Sequence, residues 1–173
     1  MSSIAISGDT SGAVTLSVPA VAGTNTVTVA AQTGTLNAAG PAFHVETAGS
    51  QTFTSGTVTK VTFSIEVFDT NNNFASSTFT PTVAGYYQIN AVFWFGAGTT
   101  ATDANANIYK NGAFYSQARA AAYSGTAASC SISDVVYCNG TTDFIELYGR
   151  AAGTGTLTAN ANMFFSGCLI RGA

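Results

Sequence analysis

"TPTVAGYYQINAVFWF", residues 80–95, opens on a turn at Pro81 and Ala84-Gly85 and then carries an apolar or aromatic residue at nearly every position. Successive side chains of a β-strand point to opposite faces, so a strand with one wet face alternates apolar and polar residues. Here Tyr87, Ile89, Ala91, Phe93 and Phe95 fill one parity. The other carries Tyr86, Gln88, Asn90, Val92 and Trp94, polar in the middle and aromatic at both ends. A strand covered on both faces accounts for this pattern.

The composition agrees with a covered surface. Of 173 residues only 8% are charged, against roughly 25% in an average soluble protein. Polarity is carried by Thr, Ser, Asn, Gln and Gly, while 12% aromatics supply material for a core. This is the balance of an all-β protein with many turns and much surface committed to self-association. The net charge is −3 and the five Lys and Arg are scattered, so no nucleic-acid footprint is present. No run approaches the ~18 consecutive apolar residues of a membrane span, and insertion into a membrane is not expected. The amino terminus, "MSSIAISGDTSG", lacks a charged region followed by an apolar run, so no secretory signal is read. Cys130, Cys138 and Cys168 read as small core hydrophobes in a reducing compartment, with a Cys130–Cys138 disulfide as the alternative.

Residues 1–39 form a separate compositional block without an aromatic residue, with β-like runs at 14–18 and 26–30. Such a segment has too little apolar bulk to fold alone and reads as an attachment arm that orders on a neighbour. From residue 40 to 173 aromatics appear in nearly every segment, between regularly spaced turns. Candidate strands are 42–46, 60–68, 76–80, 86–95, 104–109, 113–120, 129–138, 143–150, 157–159 and 162–171. In 60–68, Val61, Phe63, Ile65 and Val67 alternate with polar residues as in a half-buried strand. Asn111-Gly112 and Asn139-Gly140 read as hairpin turns. No segment sustains a 3.6-residue period, so the fold class is a β-sandwich.

Residues 41–171 resemble the globular head of the complement 1q and tumour necrosis factor-like superfamily. The resemblance is carried by "PAFHV" (41–45), "FDTNNNFASSTFTPTVAGYYQI" (68–89), "NIYKNGA" (107–113), "FIELYGR" (144–150) and "MFFSGCLI" (163–170). Within the second, Phe74, Phe79, Pro81, Gly85 and Tyr87 match the family's spaced aromatic, proline and glycine signature. Residues 1–39 resemble the linker-type segment of bacteriophage tail-fibre and virion proteins. The resemblance implies a jelly-roll β-sandwich that forms homotrimers, preceded by an extended β arm. It places Tyr87, Ile89 and Phe93 in the subunit core and Tyr86, Trp94, Tyr148 and Phe165 at the trimer interface. In such a trimer an inner strand meets its own sandwich with one face and neighbouring subunits with the other.

No catalytic constellation is evident. His44, the only histidine, lies within "AFHVE" with no nucleophile nearby, and reads as a strand or interface residue. There is no nucleophile elbow and no Cys-x-x-Cys or His-rich metal spacing. "DTNNN" (69–73) lacks the glycine and glutamate of a calcium loop and reads as a polar turn. No cofactor is expected, though some members of the resembled superfamily bind calcium near the trimer apex, with Asp103 and Asp134 as the candidates here. Residues 96–106, 120–129 and 150–161 are candidate apical loops, and Tyr123 is their aromatic platform for a host glycan. The expected function is that of a bacteriophage virion protein, a trimeric fibre or knob on tail or capsid. The arm would engage other virion proteins and the knob a host glycan or surface protein. A capsid decoration or head fibre and a non-viral lectin-like module are the alternatives, with an enzymatic depolymerase behind them.

Overall fold

The computed structural model describes residues 40–95, 100–121 and 127–173, and in the amino-terminal segment the backbone of Ser3–Ser7 (β1) and Ala13–Ser17 (β2). These two strands pair antiparallel, Ser3 opposite Ser17, within a unit that spans Met1–Gly34. The candidate strand at 26–30 lies outside the described residues.

The second unit, Thr35–Ala173, carries the remaining strands. In chain order they are β3 (Ala42–Glu46), β4 (Gln51–Phe53), β5 (Thr59–Lys60), β6 (Ile65–Asp69), β7 (Phe74–Ala75), β8 (Thr78–Phe79) and β9 (Gly85–Phe95). After them come β10 (Ala101–Lys110), β11 (Ala113–Ala121), β12 (Ala128–Cys138), β13 (Ile145–Gly153), β14 (Leu157–Ala159) and β15 (Phe164–Gly172). One sheet runs β4-β14-β9-β15-β3-β6, with β12 along the other side of β9. The other runs β11-β10-β13-β8-β7, with β5 beside β13. The architecture is an antiparallel β-sandwich, as the strand and turn spacing led us to expect, of the jelly-roll kind that the resemblance implied.

The odd residues of β9 all face inward. Tyr87, Ile89, Phe93 and Phe95 are fully buried, as expected for the core, and Ala91 nearly so. They meet an aromatic cluster in which Phe43 stacks on Phe79 at 4.2 Å and lies edge-on to Phe165 at 4.9 Å. Each such side chain contributes roughly 1.5–3 kcal/mol by leaving water, and the ring contacts add a smaller directional term. Tyr87 keeps its hydroxyl satisfied by donating to the Val83 carbonyl at 2.6 Å.

Several expectations are corrected by the chain path. Residues 60–68 are not one strand: β5 pairs with β13 in one sheet and β6 with β3 in the other, so the chain changes layer between them. Val61 and Phe63 are therefore buried at the crossing, while Ile65 and Val67 are exposed on an edge strand. Asn139-Gly140 does not close a hairpin, because β12 and β13 belong to different sheets. It makes a corner, in which Asn139 Oδ1 accepts from the N–H groups of Thr141, Thr142 and Asp143. Asn111-Gly112 does close the β10–β11 hairpin, with φ of 54° and 74° at the two positions. Cys168 is exposed, which corrects its reading as a core residue, whereas Cys130 and Cys138 are both buried and unlinked. Eight residues apart on one strand, they are separated by roughly 27 Å, far beyond disulfide reach.

Candidate functional site

The even residues of β9 emerge on the outer face of the first sheet. There Tyr86 lies across from Tyr137 of β12, ring centroids 5.4 Å apart. Tyr86, Tyr137, Val135 and Ile170 are 43%, 39%, 40% and 49% exposed. With Arg171, Gly172 and Ala173 they line an open groove of about 510 Å³. Midway along the face, Ser133 Oγ donates to Asn90 Oδ1 at 2.9 Å and accepts from Gln88 Nε2 at 2.8 Å, a polar belt between the aromatic ends. Farther across the sheet, His44 lies between Phe68 and Phe164, at 6.1 and 5.5 Å, and pairs with Glu46 at 3.2 Å. Trp94 shares this face at the far end of β9, half-buried against the core cluster. The aromatic ends and polar middle read from the sequence thus form one continuous surface.

The expected interface set is divided by the structure. Tyr86 and Trp94 lie on this face, but Phe165 is 0% exposed within the subunit's own core, packed on Phe43 and Phe63. Its parity on β15 is opposite to that of Phe164, which is the ring that reaches the outer face. Tyr148 lies on β13 in the second sheet, so it belongs to the opposite layer, its ring tilted against Tyr109 at 4.2 Å. The expectation that Phe165 joins Tyr86 and Trp94 at an interface is therefore corrected, while Tyr148 lies in the other layer from them. Tyr137, Val135 and Ile170 complete the surface instead. The alternation of residues 129–138 pointed to Val135 and Tyr137 once its outward parity was known.

The outer face of the second sheet has a different character. Asp103, Asn105 and Asn107 of β10 share one parity, and all three are buried. This corrects the reading of 96–106 as an apical loop, since 101–106 lie in a central strand. Polar side chains are tolerated there because long partners on β11 and β13 lie across them. Asp103 Oδ2 accepts from Arg119 at 2.9 Å and Arg150 at 3.1 Å, and Oδ1 from the Ala152 N–H at 2.6 Å. Asn107 Oδ1 accepts from Gln117 at 2.7 Å. Lys60 pairs with Glu146 at 2.6 Å, and Thr78 Oγ1 donates to the same oxygen at 3.0 Å. Burial, then the neighbouring Glu146 carboxylate, pushes the Tyr148 phenol above its ordinary value.

The calcium candidates are not brought together. Both oxygens of Asp103 are occupied by protein donors. Asp134 lies on β12 in the other sheet, its Oδ1 accepting from the Val135 N–H at 2.7 Å. Among the described residues no three His, Cys, Asp or Glu side chains converge as metal ligands. Asp69 caps the 69–74 turn, accepting from the N–H groups of Asn71 and Phe74. Tyr123 lies outside the described residues. Of the other candidate loop, residues 150–153 and 157–159 are strand.

No protein-family model matches the chain, and no curated protein sequence does. Solved structures do match. The globular domain of zebrafish complement 1qA is similar with a TM-score of 0.62 at 16% identity, over 78% of this chain and 100% of that one. Murine APRIL is similar at 0.60 and 13% identity, over 76% and 100%. PRD1 vertex protein P5 is similar at 0.57 and 17% identity, over 76% and 97%. The fold is the complement 1q and tumour necrosis factor-like jelly roll. Among the described residues no helix is long and apolar enough to cross a membrane.

Proposed function

We propose that the chain is a homotrimeric structural protein of a bacteriophage virion, a knob displayed on tail or capsid and used for attachment to the host surface. The observation that carries this reading is the outer face of the first sheet. Four large apolar side chains, Tyr86, Tyr137, Val135 and Ile170, stand exposed around one groove. Contiguous exposed apolar surface of this kind marks an interaction site. In a fold whose members trimerise, three copies supply one another's cover. Few charges on the remaining surface suit an obligate assembly.

The virion part of the reading is supported by the likeness to a vertex protein and by the phage-like text of residues 1–39. That segment is proposed to mount the knob on other virion proteins. The vertex likeness favours capsid mounting as the second form of the same reading. No catalysis is assigned; display and binding are the proposed roles.

Light scattering of the full chain tests the assembly. A mass three times the 17.6 kDa of one chain is expected, and Tyr137→Asp should reduce it to the single-chain value. A folded wild-type protein that remains a lone subunit at micromolar concentration would refute the assembly. Mass spectrometry of purified particles tests the location, with the chain expected among the structural proteins.

A further inference from the structure

The outer face of the second sheet contains an acceptor without a donor. Asn105 is 4% exposed, yet its Oδ1 has no hydrogen-bond partner among the described residues. Buried acceptors are almost always paired, and an unpaired one calls for a donor from outside the chain. The neighbours say what kind of donor fits. Asn105 is flanked in register by Arg119 on β11 and Arg150 on β13. Both guanidinium groups lean past it to Asp103, and Arg119 is 64% exposed, so most of its N–H groups are free for another partner. A guanidinium only donates, and this amide oxygen only accepts. A group that does both, a hydroxyl, bridges the two.

Two further features distinguish a saccharide from a single trapped water. Lys60, Arg119 and Arg150 face Asp103 and Glu146 here, three cations against two carboxylates, in a chain whose net charge is −3. The face therefore has a local excess of positive charge. Four residues along β10, roughly 13 Å away, Tyr109 packs on Tyr148 at 4.2 Å and against the edge of Phe114 at 6.1 Å. Phe114 is largely exposed. That separation is more than one sugar ring spans, so it suits two non-adjacent rings of a short oligosaccharide, with aromatic faces at one end and polar groups at the other.

We propose that this face binds an acidic oligosaccharide lying along β10. A ring hydroxyl donates to Asn105 Oδ1 and accepts from Arg119 or Arg150, a carboxylate pairs with Arg119, and a later ring covers Phe114 and Tyr109. The attachment reading above supplies the context, with the site on a sheet face rather than in the loops. Binding itself does not require the virion location or the trimer, so the two can fail separately.

The test is titration of the full chain with a galacturonate tetrasaccharide and, in parallel, a neutral galactose tetrasaccharide, followed by NMR shifts and calorimetry. The acidic probe is expected to bind saturably and to shift residues of β10, β11 and β13. Asn105→Ala and Arg119→Ala should each weaken it by about tenfold, the worth of one well-made polar contact. Phe114→Ala, at a largely exposed ring that makes none of the Asp103 contacts, should also weaken the acidic probe and so remains informative if Asn105→Ala or Arg119→Ala does not fold. Absence of saturable binding would overturn the proposal, leaving a bound water as the donor to Asn105. Equal affinity for the neutral probe, or shifts confined to the loops, would overturn it too.

Discussion

Gly149 of β13 lies directly under the ring of Phe93 on the facing sheet, so close that a Cβ at that position would overlap the ring edge. Both residues are buried, and the contact joins the two layers at the middle of the sandwich. A side chain here would hold the sheets apart. Gly149→Ala is expected to destabilise the protein by about 1–3 kcal/mol and Gly149→Val by more, read as a lower urea midpoint at unchanged slope. Wild-type stability in the valine variant would show that the layers are not in this contact.

The cysteines report on assembly. Burial pushes the Cys130 thiol up and the Cys138 thiol to about 11, so neither offers thiolate at neutral pH. Cys168 is exposed and lies opposite Gln88 on the outer face of the first sheet. A thiol reagent should label Cys168 quickly in separated subunits and slowly in the trimer, with all three cysteines reacting after unfolding. Equal rates in trimer and subunit would remove this face from the interface.

Acid should loosen the corner between the sheets. The Asn111 amide, first, and the Lys110 ammonium hold the Asp143 carboxyl below its ordinary value of 3.8. A carboxyl lowered by folding stabilises the fold above 3.8, and that contribution is lost as pH falls through its lower folded value. Asp143→Asn should flatten the acid limb of the stability curve over that window while lowering stability at neutral pH. An unchanged acid limb would count against the corner's role.

Asp103 is expected to act as a structural anion. Asp103→Asn leaves Arg119 and Arg150 facing a neutral amide and should cost about 1–3 kcal/mol, moderated by the exposure of Arg119. Millimolar calcium should leave the thermal midpoint of the wild type unchanged. A calcium-dependent rise that disappears in Asp103→Asn would return this residue to the role of metal ligand.

Much of the architecture is legible in local patterns. Ala42–Glu46 and Leu157–Ala159 coincide with strands read from the text, and β9, β11 and β12 begin or end within a residue or so of their expected bounds. The strand 51–53 escaped notice because three residues carry too little alternation to register. The 60–68 segment misled because alternation is maintained through a change of sheet, which no local pattern records. On β10, "ATD" (101–103), ahead of the strand read at 104–109, reads as loop because Asp favours turns. It is part of a central strand because Arg119 and Arg150 arrive from other strands to satisfy Asp103.

The sequence alone determined which parity of residues 85–95 turns inward and that the opposite face is aromatic at both ends and polar between them, since a pleated strand sends alternate side chains to opposite sides. Only the tertiary structure decided what shares that second face. It buries Phe165, sends Tyr148 to the other layer, and brings Tyr137 and Ile170 beside Tyr86. It also leaves Asn105, between two arginines, without a donor to its Oδ1 among the described residues. The reason is physical: side-chain parity is a property of one strand, while neighbours across a sheet are set by hydrogen-bond register between segments distant in the chain.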